Sequence, residues 1–564
     1  MHVASLMFKY ALSNADKEVL ENYLSYARDR VFNLIFKSLD EIDHKHKPYV
    51  MGFGKEEFVK SLEDLFLRKF IGKSFSHSFS IYFEKEERDK MFTYFILLQS
   101  IRLAGLFHDI GHLPFSHLFE LALDNFLTGI TQTNRVTQNT KKFQAIKVLE
   151  ENGFLEKKGN YYSPSNRKVH EIIGNKVRAI VIDSLFNHED LKEVVLRELI
   201  KEILNKMDEE SIEWKELSGI ISSTLDADRI DFVLRDGIFS GLIQSTGDYE
   251  RIIKTFKLEK VGNSFIISPS VQALNEIQEI LTDRYRIYKF LVNHHKVKRM
   301  DSIIQRLIEE SFSNNFSSFS SQFKLENIQD ALSVMFEINT EHSLKFLLHQ
   351  LTDEWLVTVL KKDYHRLKTK QLKNGSLKKK EIKNLLLLKE FFTFSVNIRS
   401  LWKRDVEYKN LILKVLTTSQ LLRKKILELQ ERLGTLPKPL RTLIKDAKCE
   451  EERCFYILQY IFHKMDWSKV EEMLKRGTSR KRGRNDIVYL CVKSSLKDVG
   501  IEEEFLLSDL KRNSVYRIVE VSRIKEQLEI DFWNAQKFFA YTNDNMSESK
   551  VCLLYTSPSP RDRG

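Results

Sequence analysis

Glycine and proline are scarce in this chain, with 20 glycines and 8 prolines among 564 residues. Turns between strands usually contain these two residues. Long stretches of this chain therefore lack the turn-forming residues that a β-rich protein needs. Apolar residues make up 42% of the sequence, which is enough for a substantial core. We therefore predict a mostly α-helical fold, and a chain of this length predicts more than one domain.

Composition and apolar spacing divide the chain into five predicted regions. Residues 1–69 form an N-terminal helical segment, and residues 70–325 carry the candidate functional side chains. Residues 326–475 form a helical, Lys-rich accessory region, which is either an added layer, an oligomer contact or a set of helices with solvated basic faces. Residues 476–551 combine a basic linker with a small α+β appendage. Residues 552–564 resemble a translated sequencing adapter rather than an ordinary disordered tail and are set aside.

Three local predictions follow from turn and strand signals. The segment KLEKVGNSFIISPSV predicts a hairpin with Gly262–Asn263 as its turn. The segment before Asn166 or Arg167 predicts a short loop, followed by a helix. In the appendage, DIVYLCVKSS, YRIVEVSRI and KFFAYT alternate like strands.

Charge and cysteine content limit the function less than the motifs do. The net charge of +11 suits anionic partners such as nucleotides or nucleic acid. Such a balance is also common in Lys-rich sequences, so it does not decide the function. Four cysteines without zinc-site spacing predict reduced thiols. We find neither a secretory signal nor a run of about 18 apolar residues, so we expect a cytoplasmic protein without a membrane span.

The segment LAGLFHDIGHLPFSHLFE, residues 103–120, places three histidines and two acids among apolar residues. Adjacent His108 and Asp109 are expected to be shielded from solvent there. A buried charge is costly unless it is paired or bound to a metal ion. Imidazole and carboxylate together suit Mn, Fe, Zn or Mg. Gly111 and Pro114 are expected to break the helix and leave the following histidines free to face a cleft.

Two residues cannot complete a metal shell, so further ligands must come from other segments. His77 lies upstream in KSFSHSFSIYF. Asp228 lies downstream in ISSTLDADRIDFVLRDG, which also carries Asp226, Asp231 and Asp236. Asp228 and Asp231 are three residues apart and share a helix face. An apolar helix with this many acids predicts bound cations.

These motifs resemble the HD phosphohydrolase superfamily, whose signature is H…HD…D. The strings HDIGHLPFSHLFE, VHEIIG, LDADRIDFVLRDG and YKFLVNHHKVKRMDSIIQRLI are similar to the deoxynucleotide triphosphohydrolase branch. That branch contains bacterial dGTP triphosphohydrolases and the vertebrate SAM-and-HD-domain enzyme. The resemblance covers roughly residues 70–315. It implies an HD-domain helical core and one divalent metal ion held by His77, His108, Asp109 and Asp228.

The resemblance also implies catalytic roles for four residues. His112 corresponds to a general acid or leaving-group stabiliser, a task that suits histidine near neutral pH. His170 and Glu171 correspond to a pair that supports it beside the scissile phosphate. Glu120 corresponds to an acid that orients such a histidine.

Four further residues are implied to bind substrate. His117 and Arg229 correspond to phosphate contacts, and Lys296 is a candidate for the same task. Asp236 corresponds to an acid that hydrogen-bonds the sugar 3′-hydroxyl. The implied reaction releases deoxynucleoside and inorganic triphosphate.

The chain departs from the branch in its substrate contacts. Ser74 stands where an arginine is usual, and Tyr285 stands at a phosphate-binding arginine position. Asn293 and Phe232 replace aromatic contacts to the substrate. Base and sugar selection are therefore expected to be altered, whereas the metal ligands are intact.

Three functional hypotheses remain open. The first is a deoxynucleoside triphosphohydrolase, and the second is an HD phosphohydrolase or phosphodiesterase acting on another nucleotide or phosphate ester. The third is a non-catalytic protein that keeps the HD fold and binds nucleic acid. The expected partners are a nucleotide substrate, single-stranded nucleic acid and further copies of the chain, since the resembling enzymes are homo-oligomers.

Overall fold

The computed structural model describes residues 1–50, 55–66, 87–131, 146–147, 149–158, 161–165, 167–208, 214–243, 249–312, 350–431, 433–465, 488–494, 496 and 500–543. Within these ranges helices dominate, and the strands form small antiparallel sheets. The predicted mostly α fold with a small α+β appendage is confirmed. No helix in the described ranges is both long and apolar enough to cross a lipid bilayer.

Twelve described helices precede the accessory region. They are α1 (His2–Ser13), α2 (Lys17–Val50), α3 (Lys55–Phe66), α4 (Arg88–Phe107), α5 (His117–Thr131), α6 (Val169–Leu185), α7 (Leu191–Asp208), α8 (Lys215–Ile221), α9 (Ala227–Ser240), α10 (Tyr249–Lys254), α11 (Leu274–Arg286) and α12 (His295–Phe312). A π-helical turn, Ile287–Val292, joins the last two.

Apolar spacing explains why α1 is a helix. Ala4, Met7, Phe8, Ala11 and Leu12 recur at intervals of three and four residues, which places them on one helix face. All five side chains are fully buried. The face packs against α4, α9 and α10. The N-terminal segment is therefore part of the same core as the residues that follow.

Two hairpins lie among these helices. Strand β3 (Lys257–Val261) pairs with β4 (Ser264–Ser268), and Gly262 between them has a φ of +61°, so the predicted turn is confirmed. A second hairpin, of β1 (Leu155–Lys158) and β2 (Tyr161–Pro164), replaces part of the predicted loop before α6. The loop prediction missed this hairpin because its strands are only four residues long.

The described part of the accessory region is helical, as predicted. Its helices are α13 (Asp353–Asn374), α14 (Lys379–Thr393), α15 (Asp405–Thr418), α16 (Gln420–Gln430), α17 (Lys438–Lys445) and α18 (Glu450–Lys464). A two-residue strand, β5 (Arg399–Ser400), interrupts them. Residues 326–349, 432 and 466–475 of the predicted region lie outside the described ranges.

The appendage supplies the remaining strands. They are β6 (Tyr489–Lys493), β7 (Leu506–Ser508), β8 (Val515–Arg517) and β9 (Phe538–Thr542). Strand β9 lies between β5 and β6 in a three-stranded sheet. Strands β6 and β9 confirm two of the three predicted strands in the appendage.

The predicted strand YRIVEVSRI is wrong beyond Arg517. Helices α19 (Ile518–Val521) and α20 (Ile524–Asn534) occupy this part of the chain. Glu520 accepts a hydrogen bond from the backbone N–H of Arg517 and so caps the start of α19. The apolar–polar alternation of this segment favoured a strand, so the cap by Glu520 was not recognised from the sequence. The basic linker predicted at the start of region 476–551 and the tail 552–564 lie outside the described residues.

Two hydrophobic cores meet near the HD motif. The buried side chains of α4, including Phe92 and Ile101, belong to the first core. The buried side chains of α5, including Phe119 and Leu123, belong to the second core. Because the chain passes from one core to the other between α4 and α5, residues 108–116 are held at both ends.

Candidate metal centre and histidine cluster

Three of the predicted metal ligands converge on one point. His108 directly follows α4, Asp109 comes next, and Asp228 lies in the first turn of α9. One ligand atom from each side chain lies within 4.8 Å of the other two. We call these residues the His–Asp–Asp cluster. The fourth predicted ligand, His77, lies outside the described residues.

The His–Asp–Asp cluster is more exposed than the sequence predicts. The side chains of His108 and Asp109 are 38% and 55% exposed, so the expectation that solvent is excluded from this pair is wrong. Their apolar neighbours Ala104 and Phe107 turn into the core, which leaves the polar pair on the open side of the helix end. Both side chains are therefore accessible to a ligand.

Hydrogen bonds and charges set the ionisation of the cluster. His108 Nδ1 lies 2.9 Å from Asp109 Oδ1, and His112 Nε2 lies 3.2 Å from the same oxygen. These contacts hold the pKa of Asp109 well below its usual range. Burial, and then the charge of Asp109, raise the pKa of Asp228. A cation between the two carboxylates would relieve this repulsion.

The donor set of the His–Asp–Asp cluster fits a divalent metal ion. Bonds from an ion to nitrogen or oxygen are about 2.0–2.2 Å long, so donors to one ion lie within about 4 Å of each other. The cluster is close to that spacing. One imidazole and two carboxylates are compatible with Mn, Fe, Zn or Mg, and they do not single out one of these metals.

The start of α9 explains why Asp228 faces the cluster. Asp226 precedes the helix, and its carboxylate accepts hydrogen bonds from the backbone N–H groups of Ser223 (3.0 Å) and Arg229 (2.7 Å). This N-cap fixes where the helix begins. Asp228 then falls in the first turn, directed toward Asp109. The aspartates of this segment therefore have different roles. Asp226 caps the helix, and Asp228 completes the His–Asp–Asp cluster.

A second polar group lies beside the first. His112 comes from the turn between α4 and α5, His117 and Glu120 come from α5, and His170 comes from α6. One donor atom from each lies within 4.8 Å of the others. We call these four residues the histidine cluster. The ring centroid of His112 lies 5.0 Å from that of His117 and 4.3 Å from that of His170.

Glu120 organises the histidine cluster. Its carboxylate lies 2.9 Å from His117 Nδ1 and 2.5 Å from His170 Nδ1, and it accepts the backbone N–H of His170 at 2.8 Å. Burial raises the pKa of Glu120, but the hydrogen bonds from these histidines outweigh it and lower the pKa to about 2. A buried carboxylate in this state fixes the orientation and tautomer of the imidazoles that it touches.

Gly111 brings α6 against the HD turn. A Cβ atom at this position would lie 2.0 Å from the carbonyl oxygen of His170 and 2.4 Å from the backbone nitrogen of Gly174. Only glycine allows the two backbones to come this close. The contact places His170 opposite His112. The sequence predicts Gly111 as a helix breaker, but α4 already ends at Phe107, and Gly111 instead permits this close approach.

We expect Gly111→Ala to destabilise the protein by about 3 kcal/mol, because the atoms nearest the new methyl group all belong to the backbone. Urea denaturation of the variant and the wild type measures this loss. Gly219→Ala is the matched control, since a Cβ there meets no atom within 4 Å and alanine favours the helix. Equal stability of Gly111→Ala and the wild type would contradict the proposed close approach.

Two supporting residues were missed by sequence reasoning. Ser116 Oγ lies 3.1 Å from His112 Nδ1. Asp353, in the first turn of α13, accepts the backbone N–H of Phe115 at 2.7 Å. Phe115 and Ser116 have φ values of 57° and 49°, a conformation that needs such support. The partner of Ser116 could have been found from its spacing of four residues, whereas no sequence signal links Asp353 to this turn.

Other predicted site residues lie outside both clusters. Glu171 accepts the backbone N–H of Lys168 at 3.2 Å and caps α6. Arg229 donates to the carbonyl oxygen of Ser223 and lies 3.4 Å from Asp226. Asp236 is half-buried, and its carboxylate lies 4.0 Å from Arg235. Lys296 is exposed near the start of α12. Their predicted roles in substrate binding or catalysis stay predictions.

A cavity of about 180 Å³ lies against the His–Asp–Asp cluster. His108 and Asp228 line it, together with Asp231 from the next turn of α9. Met1, His2 and Val3 line it as well. The candidate metal centre therefore opens into a small space that polar side chains and the N-terminal residues share.

Comparison with known proteins leaves the family undecided. No protein-family model matches the chain. A protein of Mycoplasma pneumoniae, described as an uncharacterized MG461 homolog, is 29% identical over 196 residues. The match spans 34% of this chain and 36% of the length of that protein.

Two solved structures match the chain with low TM-scores. A phosphohydrolase from Bacteroides thetaiotaomicron is 14% identical, with a TM-score of 0.39 and coverage of 87% of this chain and 85% of the other. A hypothetical protein from Aquifex aeolicus is 16% identical, with a TM-score of 0.38 and coverage of 81% and 80%. The function must therefore be argued from the side chains of this chain.

Proposed function

We propose that the protein is a metal-dependent phosphohydrolase. The observation that carries the proposal is the shared carboxylate of Asp109. One oxygen of Asp109 contacts both His108 of the His–Asp–Asp cluster and His112 of the histidine cluster. The His–Asp–Asp cluster, which could bind a metal ion, thus lies next to the histidine cluster, which could donate a proton. Metal-dependent hydrolysis of a phosphate ester uses both.

The His–Asp–Asp cluster would hold the ion, with His77 as a fourth predicted ligand. A bound divalent ion polarises a phosphoryl oxygen and lowers the pKa of water. Asp109 and Asp228 would direct their carboxylates to it. Asp109 would then release its contact with His112 Nε2, and that nitrogen would become available to the substrate.

The histidine cluster would supply the proton that the reaction needs. His112 would donate a proton to the oxygen that leaves phosphorus, while water forms the new bond to phosphorus and releases a proton to solvent. Glu120 would hold His170 and His117 in place through the hydrogen bonds described above. The buried position of His170, which is 7% exposed, keeps this network fixed while substrate enters. His117 is 73% exposed and is the better placed of the two to meet a phosphate oxygen.

We propose deoxynucleoside triphosphates as the substrates, with deoxynucleoside and inorganic triphosphate as products. The motif blocks around His108, His170 and Asp228 support this choice. Arg229, Asp236 and Lys296 are the proposed substrate-binding residues. Arg229 would have to exchange its contact with Asp226 for a phosphate group.

A second candidate is the hydrolysis of a smaller phosphate ester. The cavity volume of about 180 Å³ favours it, because sites for whole ligands usually measure about 300–1,000 Å³. A phosphate group fits this space, whereas a complete nucleoside triphosphate would extend beyond it.

A product assay tests the proposal. The full chain, loaded with Mn²⁺ or Mg²⁺, is given each of the four deoxynucleoside triphosphates singly and mixed, and the products are resolved by ion-exchange chromatography. We expect deoxynucleoside and intact triphosphate. Release of orthophosphate or ring-opened nucleotide from other esters would favour the second candidate. Absence of turnover with every substrate and metal would leave a nucleic-acid-binding protein as the better hypothesis.

A further inference from the structure

The N-terminal end of α1 borders the cavity beside the His–Asp–Asp cluster. Met1, His2 and Val3 line that cavity together with His108 and Asp228. The backbone of Met1 packs closely on α4, since a Cβ at Gly105 would lie 3.4 Å from the Met1 nitrogen. Gly105 is one helical turn before His108. The first residues of the chain are thus neighbours of the candidate metal centre.

Helix α1 is fixed along its length. Its apolar face is fully buried, and the ring of Phe8 stacks on that of Tyr94 with 5.5 Å between centroids. At the far end, the Asn14 side chain donates to the carbonyl oxygens of Lys254 and Phe256, both at 2.8 Å. At the near end, Ser5 Oγ donates to the carbonyl oxygen of Met1 at 2.9 Å. These contacts hold His2 at the cavity.

The chemistry of the cavity wall gives His2 a role. Asp228 and Asp231 bring negative charge, and Ile221, Ala227 and Val3 bring apolar surface. A phosphate group needs hydrogen-bond donors or cations around its oxygens. Among the described residues that line the cavity, only His2 and His108 have side chains with N–H groups. Since His108 would be engaged by the metal ion, the His2 imidazole is the other side chain with an N–H group on this wall, and it would exchange its present contact for a phosphate oxygen.

We propose that His2 is a substrate-binding residue that donates a hydrogen bond to a phosphoryl oxygen in this cavity. The inference rests on the proposed function, because it assumes a phosphate group next to the His–Asp–Asp cluster. It adds to that function a residue that lies outside every motif used to predict the site. Helix α1 then serves two purposes, as part of the core and as one wall of the substrate site.

The test compares His2→Ala and His2→Gln in the full chain, with any purification tag at the C-terminus. Calorimetry measures the binding of Mn²⁺ to each protein and then the binding of inorganic phosphate to the Mn²⁺-loaded form. We expect unchanged Mn²⁺ affinity and phosphate affinity about tenfold weaker in His2→Ala, as for the loss of one hydrogen bond to a charged group. His2→Gln retains an N–H donor and is expected to recover most of the affinity. His365→Ala, which changes an exposed histidine on α13, is the matched control.

Thermal unfolding shows whether either variant has lost its fold, and His2→Gln keeps the test informative if His2→Ala is unstable. Phosphate affinity of both variants within twofold of the wild type, with Mn²⁺ binding intact, overturns the role of His2 and leaves the proposed function standing. Failure of the wild-type chain to bind Mn²⁺ overturns both. If His365→Ala weakens phosphate affinity as much as His2→Ala does, the role of His2 is also overturned, because the effect would then not depend on a residue at the cavity.

Discussion

Asp109→Asn is expected to remove bound metal and hydrolytic activity together. Asp109 contributes to the His–Asp–Asp cluster and also contacts His112, so no other single side chain in the described site joins both groups. An amide at this position is neutral and binds a divalent cation far more weakly than a carboxylate does. Elemental analysis of the purified variant measures the metal, and the product assay measures turnover.

Asp89→Asn is a matched control for Asp109→Asn. Asp89 lies in the first turn of α4, whereas Asp109 follows the other end of that helix, and Asp89 pairs with Arg28 at 2.9 Å. This variant should keep both metal and activity. His108→Ala should behave like Asp109→Asn, since it removes another ligand. If the double variant His108→Ala/Asp109→Asn still held stoichiometric metal, the assignment of the metal centre would be wrong.

His112→Ala is expected to retain the metal and to slow turnover by about 10²-fold or more, which is the scale of lost general acid catalysis. His112 lies outside the proposed ligand set but contacts Asp109 through Nε2 and Ser116 through Nδ1. Steady-state kinetics with metal-saturated protein separate this effect from metal loss.

Ser116→Ala provides the comparison for His112→Ala. It removes the hydrogen bond to Nδ1 but keeps the imidazole, so its effect on turnover should be much smaller. Unchanged turnover in His112→Ala would assign the proton donor to another residue, and His170 or His117 would be the next to test.

The sequence predicts the helical elements of this protein well because their signals are local. The buried face of α1 and the Gly262 turn follow from spacing and backbone preference within a few residues. The same is true of the helix break predicted near Gly111, since α4 ends at Phe107. The strand predicted beyond Arg517 failed for a related reason. Its alternating pattern was read without the capping interaction between Glu520 and the backbone of Arg517.

The site could be predicted only in part. The convergence of His108, Asp109 and Asp228 follows from the motifs, as does the neighbourhood of His112, Glu120 and His170. The exposure of His108 and Asp109 does not follow, because it depends on which side of α4 faces the core. The same limit applies to residues that reach the site only through tertiary packing.

Asp353 and His2 are two residues that tertiary packing alone brings to the site. Asp353 supports the turn at Phe115 from 238 positions away. His2 borders the cavity only because the whole of α1 docks against α4 and α9. Neither position carries a motif, so neither could be assigned to the site before the packing was known.

The three-stranded sheet also affects how the protein is made. Strand β9 pairs with β5 across roughly 140 residues of sequence, and at about 5–20 residues per second the ribosome needs about 7 to 28 seconds to synthesise that interval. Until residues 538–542 emerge, Trp402 lacks its edge-on contact with Phe538, which is 4.9 Å away in the finished fold. Both cores also lack side chains of this strand. The nascent chain therefore exposes an unpaired strand edge and apolar surface to chaperones, and a ribosome that stalls before β9 would leave a polypeptide prone to aggregation.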